Sequence, residues 1–133
     1  MPTQTKNFIF YWLPLILYCL LIYIQSDYPS PEELPSFKFM DKMLHFVAYG
    51  VMGILFYRAY QTLQIKNHRK MLIFFSIASA SVYGISDEIH QYFVPDRHAD
   101  FLDVIADILG ALCGVYLYHM WACRKEPAVP GDM

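Results

Sequence analysis

The chain has 133 residues, enough for one domain, with 56% hydrophobic residues, 17% aromatics and a mean hydropathy of +0.29. Soluble domains are already about half apolar, so bulk composition leans only slightly toward a membrane. A net charge of −2 gives no basic footprint and argues against a nucleic-acid partner.

The distribution of charge says more, because it leaves four apolar runs. The first, Phe8–Ile24, "FIFYWLPLILYCLLIYI", carries no charge. It is long for the h-region of a signal peptide, and "IYIQSDY" offers no A-x-A-like cleavage site, so it reads as a retained helix. Pro14 falls in its first half, where membrane helices tolerate proline. The second run, Leu44–Tyr57, has only His45 polar, at its start. The third, Met71–Ile85, is uncharged, and the fourth, Val104–Trp121, holds only Asp107 and His119. A span needs about 20 residues. Run two reaches that length from Asp41 through Tyr60, and run three by extending to about His90. The expectation is an all-α integral membrane four-helix bundle: a single domain over residues 1–125, followed by a disordered tail over 126–133.

Between runs one and two, "QSDYPSPEELPSFKFMDK" reads as an irregular cap, with Ser30 as N-cap and Pro31 at N1 of a short helix. The connection "QTLQIKNHRK" is short and basic, so helices two and three should be antiparallel neighbours. With the N-terminus inside, Lys6, Arg58, Lys66, Arg69, Lys70, Arg124 and Lys125 are cytoplasmic, against Lys38, Lys42 and Arg97 outside. Seven against three fits the positive-inside rule and puts both termini in the cytoplasm. Tyr11, Trp12, Tyr57, Tyr60 and Trp121 would form the inner aromatic belt, and Tyr23, Tyr28, Tyr92 and Phe93 the outer one. Cys19, Cys113 and Cys123 form no C-x-x-C and read as small packing residues.

Three polar stripes reach the outer end. On helix two the stripe is Asp41, His45, Tyr49 and Met52/Gly53. On helix three it is Gly84, Asp87, Glu88 and Gln91. On helix four, Asp100, Asp103, Asp107, Gly110 and Gly114 recur every three or four residues and share one face. Gly110 and Gly114 form a small-xxx-small packing surface, so the acids on the same face point at protein. If the span starts near Phe101, Asp107 lies about 9 Å along it, and an intramembrane carboxylate marks a candidate functional site. The tight "FVPDRH" turn sets Arg97 over the helix ends. Simple capping accounts for Asp100 and Asp103, but not for Asp107, Gln91 and His45 together. Asp41, Asp87, Glu88, Asp100, Asp103 and Asp107 face only Lys42 and Arg97 as evident cations. Such a cluster needs protons, a bound cation or a cationic ligand. Candidate metal ligands are Asp87, Glu88, Asp103, Asp107 and His45, and their oxygen-rich chemistry favours a divalent cation such as Mg²⁺, Ca²⁺ or Mn²⁺.

"DKMLHFVAYG" (Asp41 to Gly50) and "SDEIHQYFVPDRHADFLDVIADILGALCG" (Ser86 to Gly114) resemble the VanZ-like family of small bacterial membrane proteins. The shared pattern is D-K-x-x-H-F-x-x-Y, then D-E-x-x-Q-x-F-x-P-x-R, then D-x-x-x-N-x-x-G-x-x-x-G. Asp107 stands where that pattern usually carries Asn, which adds a titratable group. The resemblance implies a multi-pass protein of the bacterial inner membrane. Through the family's namesake it also implies low-level resistance to the glycopeptide teicoplanin.

Two classes of function follow. One is a non-catalytic envelope protein whose acidic site at the outer end of helices two to four binds a cationic ligand, lipid headgroup or glycopeptide. The other is a membrane enzyme using acid–base or divalent-cation chemistry on a lipid-linked envelope substrate. It has no H-E-x-x-H, G-x-S-x-G or recognised nucleophile to support it. A proton relay through Asp107 and His45 ranks third, because the cytoplasmic half has no matching acids. The site residues expected under any of these are Asp41, His45, Tyr49, Asp87, Glu88, Gln91, Arg97, Asp103 and Asp107. Expected partners are the lipid bilayer and a lipid-linked envelope precursor or a glycopeptide.

Overall fold

The computed structural model describes residues 1–29 and 37–126, residues 37 and 38 by their backbone only. The regular structure of these residues is entirely helical. Four long helices dominate: α1 (Thr3–Ser26), α2 (Phe37–Tyr60), α3 (Arg69–Phe93) and α4 (Phe101–Lys125). Each is long and apolar enough to cross a membrane. All four overrun the apolar runs that predict them, α1 starting at Thr3 and α3 ending at Phe93. In lipid every peptide group needs an internal partner, so helix continues through the polar flanks of each span. The expected short helix at Ser30–Pro31 and the tail over 127–133 lie outside the described residues.

α1 is irregular at one point. Phe8–Trp12 forms a π turn just ahead of Pro14. Proline has no N–H and its ring crowds the carbonyl four residues back, here that of Phe10. The wider turn absorbs the crowding without breaking the helix.

The exterior is apolar along every helix: Leu17 and Leu21 on α1, Val47 on α2, Phe74 and Val82 on α3, Leu109 and Leu117 on α4 are all exposed. A soluble protein rarely presents so much apolar surface; hydrocarbon is its natural solvent. The interior mixes small and polar residues with a few large ones. On α3 the buried face runs Leu72, Ser76, Ala80, Gly84, then Asp87, Glu88 and Gln91. On α4 it runs Asp103, Asp107, Gly110, Ala111, Gly114 and Val115.

α2 and α4 make the most extensive contact in the bundle. Its centre is backbone on backbone. A methyl group added at Gly110 would collide with the carbonyl oxygen of Phe46, and one at Gly114 with that of Gly50. No rotamer change relieves such a clash, so glycine is what permits the approach. Tyr49, Met52, Ala80 and Ala111 with Ile22 of α1 form one buried cluster, and Tyr57, Leu72 and Val115 another.

The helices are antiparallel in sequence order. The start of α1 meets the α2–α3 connection, where Trp12 Nε1 donates to Thr62 Oγ1 at 2.9 Å. Arg69 pairs with Glu126 beyond α4 at 2.6 Å. Both described chain ends therefore lie at the basic end, and the acidic stripes lie at the other. Tyr57 departs from its expected belt position. It is buried, and its hydroxyl and His119 Nδ1 are hydrogen-bonded at 2.7 Å. Its ring points inward because the residue falls on the same α2 face as Tyr49 and Gly53.

Gly110→Ala is expected to lower stability by about 1–3 kcal/mol, measured as thermal unfolding in detergent. Leu109→Ala, one residue away but 51% exposed, should melt close to wild type. Equal melting of both variants would disprove the tight α2–α4 approach.

Candidate functional site

The α3–α4 turn brings the acidic ends together. Pro95 and Asp96 occupy its centre, with Asp96 at φ 60, and Arg97 N–H donates to Val94 C=O at 3.3 Å. Positive φ is required at this position of a type II turn, and Asp tolerates it. Asp100 then caps α4, its Oδ1 accepting from Leu102 N–H at 2.9 Å. The backbone N–H of Asp100 is in turn accepted by Glu88 Oε1 of α3. One residue thus ties the start of α4 to the end of α3.

Lys42 of α2 supplies the first countercharge. Its Nζ lies 2.8 Å from Asp100 Oδ2 and 3.0 Å from Asp103 Oδ1. One turn deeper, His45 Nδ1 lies 2.9 Å from Asp107 Oδ1. An ionised carboxylate only accepts, so with Asp107 ionised His45 is the donor there. His45 Nε2 faces Asp103 Oδ2 at 3.9 Å, beyond hydrogen-bond range. One turn deeper again, Tyr49 OH donates to Asp87 Oδ2 at 3.0 Å, and Gln91 Nε2 donates to the same oxygen at 3.3 Å. Lys42, His45 and Tyr49 therefore form a ladder on α2, each rung answering an acid on α3 or α4.

Asp107 is fully buried. Its second oxygen, Oδ2, has no hydrogen-bond partner among the described residues, and neither has Glu88 Oε2. The room for Asp107 Oδ2 comes from Gly84 of α3, where an added Cβ would lie 2.8 Å from it. The glycine of the α3 stripe is a seat for an α4 carboxylate.

A cavity of about 140 Å³ opens beside this ladder. Asp41, His45, Asp87, Gln91 and Arg97 line it, with apolar wall from Ile22, Leu44 and Ala48. No side chain among the described residues hydrogen-bonds Asp41. Arg97 bridges to α1: its Nη1 donates to Gln25 C=O at 3.2 Å and to Tyr28 C=O at 2.7 Å. The Gln25 carbonyl lies in the last turn of α1 and also accepts from Tyr28 N–H at 3.2 Å, and the Tyr28 carbonyl lies just beyond the helix. A second tie closes the same corner. His90 Nε2 pairs with Asp27 at 2.9 Å, and its ring stacks on Tyr23.

The structure thus gathers Asp41, His45, Tyr49, Asp87, Glu88, Gln91, Asp103 and Asp107 at one end of the bundle and sets Arg97 at the rim of the cavity. Arg97 is spent on α1 carbonyls rather than on an Asp87 or Glu88 clamp. The expected metal set does not converge as a whole. Asp41, His45 and Asp103 each offer a ligand atom within 4.8 Å of the others. Asp87 is held by Tyr49 and Gln91, Glu88 by the Asp100 backbone, and Asp107 stands behind His45. Sequence reasoning left Lys42 and Asp100 outside the site. Their signal was the unbalanced charge at the helix mouths, and Lys42 lies one turn from His45. Ile22 and Gln25 of α1 had no signal at all, since α1 has no polar stripe to orient it.

The sequence profile of the VanZ/LLP1 family matches residues 4–122. The chain belongs to that family. With its four spans, this VanZ/LLP1 protein is a multi-pass membrane protein. No curated protein and no solved structure matches it.

Tyr49→Phe is expected to cost about 1–3 kcal/mol, because it removes one of two donors to a buried carboxylate. Thermal unfolding in detergent measures it. A variant as stable as wild type would mean that Asp87 is answered from elsewhere.

Proposed function

We propose that this VanZ/LLP1 protein is a bacterial inner-membrane protein of the cell envelope whose polar cavity binds a cationic group presented at the outer surface. Asp87 carries this reading. Tyr49 and Gln91 both donate to its Oδ2, which holds the carboxylate in place, and among the described residues none donates to Oδ1. Asp87 and Asp41 line the cavity together with Arg97, whose Nη1 donates to the Gln25 and Tyr28 carbonyls. A primary or quaternary ammonium with a short apolar stem suits a space of this size, with Ile22, Leu44 and Ala48 along the stem. Lipid headgroups and glycopeptides both carry such groups. The basic end, with Arg58, Lys66, Arg69, Lys70, Arg124 and Lys125, faces the cytoplasm under the positive-inside rule, which turns the cavity outward. In that orientation the protein contributes to low-level teicoplanin resistance by engaging the drug or the lipid surface around its target.

Asp87→Asn is the test. The loss of a charged hydrogen bond is worth about 1.5–3 kcal/mol, or roughly 10- to 100-fold in affinity. Binding of teicoplanin and of aminophospholipid nanodiscs to purified protein should fall by that factor. Teicoplanin susceptibility of expressing cells should rise with it. Unchanged binding of both ligands ends this reading, and unchanged susceptibility alone ends the resistance part.

A second reading, a membrane enzyme acting on a lipid-linked envelope substrate, is favoured by the His45–Asp107 pair. A carboxylate that orients an imidazole is a common general-base arrangement. His45→Gln keeps a polar side chain of similar reach. It should abolish any mass change in lipid-linked precursors incubated with wild type; full turnover in the variant would exclude this role.

A further inference from the structure

The cavity ligand leaves one part of the cluster unexplained. Asp103 does not line the cavity, and it pairs with Lys42 through Oδ1 only. Its Oδ2 and His45 Nε2 face each other at 3.9 Å with no hydrogen bond between them. Both residues are deeply buried, His45 at 8% exposed and Asp103 at 2%. The pair stands at ion-pair distance without a hydrogen bond, so both atoms keep capacity for a further partner. Asp41 closes the same triangle.

We propose that Asp41, His45 and Asp103 hold a divalent metal ion, one that accepts an imidazole nitrogen and two carboxylate oxygens. Three observations converge on it. The three ligand atoms lie within 4.8 Å of one another. Metal bonds of about 2.0–2.2 Å in a tetrahedral array put two ligands of one ion about 3.4 Å apart, so the 3.9 Å gap and the wider triangle close when the side chains draw together by about 0.5–1.4 Å. The outer contact of the histidine is also already made. Asp107 Oδ1 lies 2.9 Å from Nδ1, which fixes the ring and, with Nδ1–H as donor, leaves Nε2 of the neutral ring to ligate. Ligating histidines characteristically donate their other nitrogen to a carboxylate in this way.

The donor set narrows the metal. A nitrogen and two carboxylates suit Zn²⁺ or Mn²⁺ better than Mg²⁺ or Ca²⁺, which prefer oxygen alone. This moves the choice away from the all-oxygen ions that the acid-rich sequence suggests. Lys42 does not compete for the position. It is shared between Asp100 and the far oxygen of Asp103. Asp41 and His45 also line the cavity, so a coordination position left open by three protein ligands faces the space where a ligand's oxygen or a water would sit.

The site is independent of which ammonium compound the cavity takes, and the experiment separates the two. Detergent-purified protein is stripped with chelator, dialysed against Zn²⁺ or Mn²⁺, and its metal content measured by mass spectrometry of the digested protein. Wild type is expected to retain about one ion per chain. Asp103→Asn and Asp41→Asn should each lose it, while Asp87→Asn, which removes the proposed ligand contact, keeps it. Asp41 is only half-buried, so its variant keeps the test open if Asp103→Asn fails to fold. Titration with Co²⁺ should add visible absorption bands in wild type and none in Asp41→Asn. Stripped wild type that remains helical and monodisperse but takes up neither ion would overturn the proposal. So would equal metal content in wild type and Asp41→Asn. Metal uptake with no ammonium binding would leave this inference standing and remove only the cavity reading.

Discussion

The contact of α4 with α2 through Gly110 and Gly114 is what the rest of the structure depends on. At these positions the backbones touch, with the carbonyls of Phe46 and Gly50 where side chains would otherwise stand. Lipid tails are as apolar as leucine, so association of spans rests on close packing rather than on expulsion of water. Closeness at this one place also sets register. With Gly110 against Phe46, Asp107 falls opposite His45, one turn from the contact, and Asp103 falls opposite Lys42 at the next. A bulkier contact would separate the two helices and break every rung of the ladder together.

That register turns a costly set of charges into an ordered one. A carboxylate inside a membrane costs several kcal/mol unless it is answered. Here Lys42 answers Asp100 and Asp103, His45 answers Asp107, and Tyr49 with Gln91 answers Asp87. The third helix contributes by being small. Gly84 clears space for Asp107, and Ala80 lets α3 approach the Tyr49 ring and Ala111. Asp41 has no side-chain hydrogen bond among the described residues, and the second oxygens of Glu88 and Asp107 have none either.

Much of this was legible in the chain because membrane helices obey simple periodicities. The recurrence of Asp100, Asp103, Asp107, Gly110 and Gly114 at three- and four-residue steps puts the acids and the packing glycines on one face, and a face that packs cannot meet lipid. The α3 stripe from Gly84 to Gln91 was readable by the same spacing. Tyr57 was misread because an aromatic at a span end suits an interfacial belt as well as a buried contact. Only its partner, His119, 62 residues away, distinguishes the two. Arg97 was rightly set over the helix ends, but its targets are the last carbonyls of α1. Backbone acceptors leave no mark in sequence.

By itself, the sequence determined the number of spans, the polar faces of α2, α3 and α4 and the end that gathers the acids, since each follows from local hydropathy and the 3.6-residue repeat of a single helix. The tertiary structure decided which acid meets which donor. It took Lys42 and Asp100 into the site and drew Ile22 and Gln25 into the cavity wall. It also separated Asp41, His45 and Asp103 from Asp87, Glu88 and Asp107 as a converging set of ligand atoms. The physical reason is range. Periodicity is a property of one helix, whereas a 3.9 Å gap between two buried side chains depends on the separation, rotation and register of two helices at once, and those were set by glycines a full turn or more away.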